Sequence, residues 1–114
     1  MNAKPSSTPG PATVEALGNG RFKVSGPLDA ETVTDLFERG DELFRGATQL
    51  DIDLSGVPEG DSAGLALLIE WLRLANHNKQ QIVFRNLPSQ LAALARISEI
   101  EDLLLPNGSP HAAN

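Results

Sequence analysis

Asp61-Ser62-Ala63-Gly64 places a carboxylate, a hydroxyl and a glycine directly ahead of an apolar run, Leu65 to Ile69. An acid followed by a hydroxyl either carries the chemistry of the protein or merely starts the helix that follows. Catalysis lacks its partners. Ser62 has no histidine at a plausible partner position and does not sit in a G-x-S-x-G nucleophile elbow. Asp51 and Asp53 alternate along a short apolar stretch and so share one face of a strand. They form either a paired-carboxylate site or, more simply, the solvent side of a strand whose Ile52 and Leu54 enter the core. His77 and His111 are too distant in the chain to suggest a metal site, and His77 suits a helix C-terminus when charged. No Walker-type or dinucleotide-binding glycine pattern is present. With no cysteine, thiol nucleophiles, disulfides and cysteine-ligated zinc are excluded. These residues predict no enzyme, no cofactor and no metal.

At 114 residues the chain is one domain with a single core. A chain of that size buries about 65% of its unfolded surface, enough to fold without a staple. The net charge of −6 is spread along the sequence and argues against a basic nucleic-acid-binding face. The opening MNAKPSSTPGPA has no apolar signal region. Runs such as Leu65 to Ile69 fall far short of the ~20 residues that a membrane helix needs. A soluble, cytoplasmic protein without direct membrane insertion is the expectation.

The elements that must position Asp61 and Ser62 follow from the patterning. Residues 1–12 and 106–114 are rich in Pro, Ser and Gly and read as flexible tails around a domain at 13–105. Thr13 to Leu17 and Arg21 to Val24 alternate apolar and polar, and Gly18-Asn19-Gly20 between them reads as a hairpin turn. Asp29 is placed to cap a helix bearing Val33, Leu36, Phe37, Leu43 and Phe44, with Gly40 on that face for close packing and Gly46 as a stop. Leu50 to Leu54 and Gln81 to Phe84 read as short strands. Pro88 suits the first turn of a helix with Leu91, Leu94 and Ile97, and a last helical piece spans residues 100–105. The order β-β-α-β-α-β-α-α predicts an α/β fold, a small mixed sheet covered by helices.

The helix that begins at Asp61-Ser62 is unusually greasy. Asp61 fits an N-cap and suits the positive end of the helix dipole. Gly64 costs roughly 1 kcal/mol against alanine, so either tight packing on the sheet or the approach of another molecule wants the missing side chain. At 100° per residue, Leu65, Leu68, Ile69, Leu72 and Ala75 form one stripe, while Ala63, Leu67, Trp71 and Leu74 form another. The apolar arc thus covers about two-thirds of the circumference, against a little over ~100° for a simple surface helix. Neighbouring helices or a partner must cover the second stripe, and Trp71 is its natural interface anchor.

The stretch LDIDLSGVPEGDSAGLALL resembles the core of STAS domains, from Ile52-Asp53-Leu54-Ser55 through Val57 to Asp61-Ser62-Ala63-Gly64-Leu65. The resemblance covers some 90 of the 114 residues and implies a mixed sheet whose working edge is the loop before the second helix. In the anti-sigma factor antagonists of this family, a partner kinase phosphorylates the hydroxyl after the Asp, here Ser62. A closer likeness, through SAGLALLIEWLRLA and the ending Leu94-Ala95-Arg96-Ile97 with Leu103-Leu104-Leu105-Pro106, is to the small STAS subunits of bacterial lipid-asymmetry ABC transporters. That likeness implies a subunit seated on the transporter's ATPase and peripheral to the inner membrane. The cap geometry, the costly glycine and the wide apolar arc put the expected docking surface at Asp61, Ser62, Ala63 and Gly64 with Leu67, Trp71 and Leu74. The Pro-rich N-terminal stretch departs from that subgroup.

Overall fold

The hairpin turn needs backbone that few side chains tolerate, and its sequence supplies it. Gly18, Asn19 and Gly20 have φ of 93°, 58° and 80°, the left-handed region that Gly and Asn enter most readily. A computed structural model describes residues 12–104. The turn joins β1 (Thr13–Gly18) to β2 (Arg21–Ser25), after which come α1 (Val33–Leu43), β3 (Gln49–Gly56), α2 (Ser62–His77), β4 (Gln81–Arg85), α3 (Ser89–Ile97) and α4 (Glu101–Leu104). The order is the one expected. Leu105, His111 and most of both predicted tails lie outside the described residues. Ala12, assigned above to the N-terminal tail, is instead buried in the core.

The four strands lie in the order β1-β2-β3-β4, the first pair antiparallel and the others parallel. One sheet face carries Phe22, Val24, Leu50, Ile52, Leu54 and Phe84, all buried. On the other face, Glu15, Lys23, Asp53 and Arg85 stand in register across all four strands. Alternating charges at paired positions favour this register. Arg85 Nε donates to both oxygens of Asp51, at 2.8 and 2.9 Å, and Asn86 Nδ2 donates to Asp53 Oδ1 at 2.9 Å. The two acids are therefore cross-strand ties on a polar sheet face.

Helix α1 begins three residues later than the distance from Asp29 suggests. Thr32 is its N-cap residue, and its hydroxyl donates to Pro27 O at 2.9 Å and accepts the Asp29 N–H at 3.0 Å. Asp29 instead closes the preceding turn, accepting the Glu31 N–H. Leu36, Gly40 and Phe44 are buried as expected, whereas Leu43 is 39% exposed. At 100° per residue Leu43 falls at the rim of the arc that those three define. The same drift exposes Ile97. On α3, Leu91 and Ala95 are buried, and Ile97 lies more than ~100° from both around the axis.

Helix α1 covers Trp71, at the middle of the second apolar stripe of α2. A Cβ on Gly40 would lie 2.6 Å from Trp71 Nε1, so glycine is what lets the indole lie against α1. Phe22, Phe44 and Trp71 form an edge-to-face series, with centroids 4.9 and 5.3 Å apart, from sheet to α1 end to α2. Trp71 and Leu67 are 0% and 3% exposed. The expectation that both belong to a docking surface is corrected: they are core residues beneath a neighbouring helix.

Candidate functional site

Strands β2, β3 and β4 are parallel, so the loops leaving them emerge at one end of the sheet, where open α/β sheets place their ligand crevices. The Asp61-Ser62 turn lies there. It is bracketed by Leu28 of the loop after β2, whose N–H donates to Glu59 O and whose carbonyl accepts from Asp61 N, both at 3.1 Å. Gly60 forms an isolated parallel bridge with Leu28. Its N–H donates to Gln90 Oε1 at 3.0 Å, and a Cβ on it would meet Leu91 at 2.9 Å.

Asp61, at φ −114° and ψ −162°, caps α2 as expected, with Oδ1 accepting from Ala63 N at 2.9 Å and Gly64 N at 3.3 Å. Ser62 is the first helical residue and is exposed. The cap uses the Asp61 carboxylate, so the fold does not need the Ser62 hydroxyl there. Gly64 is buried, and a Cβ would lie 2.7 Å from Leu28 Cβ and 2.8 Å from Leu28 O. Of the two explanations for this glycine, the structure selects tight packing, against the loop after β2 rather than on the sheet as expected.

A cleft of about 180 Å³ opens beside this turn, walled by residues 27–29, 59–61 and Gln90. Asp29, Glu59 and Asp61 line it and no lysine or arginine does. Among the described residues no group of His, Cys, Asp or Glu has a metal-holding arrangement. Bulky like charge beside Ser62 makes the cleft unfavourable for an added anion and favourable for a cationic neighbour.

The residues of the predicted site therefore separate. Asp61 and Ser62 are exposed, Ala63 is half-buried beside them, and Gly64, Leu67 and Trp71 are internal. Leu74 is half-buried near the far end of α2, in a second cleft with Asp41, Arg45, Asn78 and Gln80. His77 is exposed in the last turn of α2. Sequence reasoning missed Leu28, Gly60 and Gln90 as partners of the turn. Gly60 alone gave a local signal, a glycine directly before a helix cap. The other two are brought in by parallel strand register.

A mixed four-stranded sheet, helix-covered on one face, with an Asp-Ser turn at the start of the second main helix, defines a STAS-type module. The family described as "Mlab, STAS domain" matches residues 12–106, and the chain belongs to that family. It is 31% identical over 83 residues to the intermembrane phospholipid transport system binding protein MlaB of Escherichia coli (strain K12), a match spanning 73% of this chain and 84% of that protein. The protein of the same name from Shigella flexneri matches to the same extent. No described helix is long and apolar enough to cross a membrane.

Proposed function

We propose that this chain is a non-enzymatic STAS subunit that binds and supports the ATPase of an ABC transporter for phospholipids, in the cytoplasm at the inner membrane, and so serves outer-membrane lipid asymmetry. The carrying observation is the Asp61-Ser62 turn: exposed at its tip, yet braced at its base by Leu28, Gln90 and Leu91. A pre-organised turn lowers the ordering cost of docking. The names of the two MlaB relatives, as binding proteins of a phospholipid transport system, supply the transporter class.

The test is affinity purification of the tagged protein from its native host in mild detergent, with mass spectrometry of its companions. Recovery of an ABC ATPase with its membrane permease supports the proposal. Recovery of a small kinase-like anti-sigma factor, with phosphate on Ser62, favours a second reading, a phosphorylation-controlled antagonist. The exposure of Ser62 at the start of a 16-residue helix keeps that reading in view, because a kinase can reach the hydroxyl and the positive end of the helix dipole favours the added phosphate. Ser62→Ala separates them further, since it abolishes control by phosphate but leaves a transporter subunit able to bind. Ser62→Glu puts a bulkier side chain on the exposed tip of the turn and, by steric clash with the partner, weakens binding roughly tenfold or more. Wild-type affinity in Ser62→Glu would remove this turn from the interface.

A further inference from the structure

Gln90 lies 30 positions beyond Gly60 yet supplies the acceptor for its N–H. It is exposed and stands in the first turn of α3. The next residue, Leu91, is fully buried and occupies the space a Gly60 side chain would need. Helix α3 thus holds the turn by a polar contact and an apolar one, opposite Leu28. Leu28 and Leu91 are 0% exposed and belong to the core; the carboxamide of Gln90 does not. An exposed glutamine fixed by one neutral hydrogen bond gives up rotamer freedom comparable to the bond's net worth. Its contribution to fold stability is therefore small. What the bond does fix is the backbone one residue before Asp61 and two before Ser62.

The geometry assigns Gln90 as a positioning residue of the docking site. Through Gly60 it sets the orientation of the turn that presents Asp61 and Ser62. The docking surface then extends sideways across the acid-lined cleft toward α3, since Leu67 and Trp71 of α2 are buried, Trp71 against α1. This inference rests on the docking role proposed above.

Gln90→Met keeps side-chain length and helix propensity but removes the acceptor, whereas Gln90→Glu keeps an acceptor oxygen. Each full-length variant is followed by amide exchange at Gly60, thermal midpoint and affinity for the purified ATPase recovered with the tagged protein. Gln90→Met is expected to speed Gly60 exchange about fivefold, as loss of one ordinary hydrogen bond does. It should weaken ATPase binding by a similar factor with the midpoint unchanged, and Gln90→Glu should restore slow Gly60 exchange. Unchanged Gly60 exchange overturns the inference, as does faster exchange with unchanged affinity. Ser62→Glu measured alongside separates the two levels. Loss of binding in Ser62→Glu but not in Gln90→Met refutes the positioning role alone. No loss in either refutes docking at this turn and the inference with it.

Discussion

Asp61 Oδ1 accepts from two backbone N–H groups of its own helix, so its removal has a stability consequence separable from docking. Asp61→Ala should lose about 1 kcal/mol in denaturant unfolding. Asp61→Asn, a comparable cap without the charge, should stay near wild type in stability and change only binding. If Asp61→Ala proves as stable as wild type, the cap geometry described here is wrong. Asp53 makes a second prediction at this scale. The hydrogen bond from Asn86, with help from the Ser55 N–H, holds its carboxyl below the ordinary value of 3.8. A depressed carboxylate pKa favours the folded state above about pH 3.8, and that contribution is lost as pH falls through the native value. Asn86 sits at φ 61°, so Asn86→Gly removes the side chain without straining the backbone. In a proton-detected titration the Asp53 pKa should then rise toward 3.8. No movement would show that Asn86 is not its main partner.

At the scale of elements, two glycines set how helices approach their neighbours. Gly40 lies under the Trp71 indole and Gly64 lies on the Leu28 backbone. Gly40→Ala would force α1 and α2 apart and should destabilise the fold by about 1–3 kcal/mol, the usual range for overpacking. The intrinsic tryptophan emission should shift to the red as water reaches Trp71. An alanine variant of unchanged stability and unchanged emission would show that α1 does not cover Trp71 in solution. Gly64→Ala meets a backbone carbonyl at 2.8 Å, which cannot rotate away as a side-chain tip can, so it should also displace Leu28 and the cleft wall. The surface ion pairs Asp35–Arg39, within α1, and Asp41–Arg45, from its last turn to the residue after its cap, contribute only a few tenths of a kcal/mol each. Packing through Gly40 and Trp71 holds α1 in place.

Across the whole molecule, the charge distribution gives the docking end its character. The open sheet face pairs Lys23 and Arg85 with Asp53 and Glu15 in register, while Asp29, Glu31, Glu59 and Asp61 gather beyond the carboxyl ends of β2 and β3. If the proposed ATPase is the partner, steering by that acidic end should make association slow as salt rises from ~10 mM to ~1 M, over which the screening length falls from about 30 to 3 Å. Stopped-flow association rates across that range provide the check, and a flat profile would exclude these acids from the encounter.

Local patterning alone determined the element order, the hairpin turn at Gly18-Asn19-Gly20, the Asp61 cap and the outward placement of Asp51 and Asp53. Each rests on contacts a few residues apart or on a period of two or 3.6. The resemblance carried by Asp61-Ser62-Ala63-Gly64 added the family. The start of α1 after Asp29 and the burial of Leu43 and Ile97 were less legible, because a buried Thr32 hydroxyl and a drifting helical angle decide them. Only the tertiary structure settled which side of α2 is free. The wide apolar arc fitted a neighbouring helix or a partner, and Gly40 admitting Trp71 beneath α1 gave the middle of the second stripe to a neighbour. Parallel register likewise brought Leu28, Gly60 and Gln90 together across some sixty residues. No local period encodes that meeting, since it depends on how three strands align after the chain has folded.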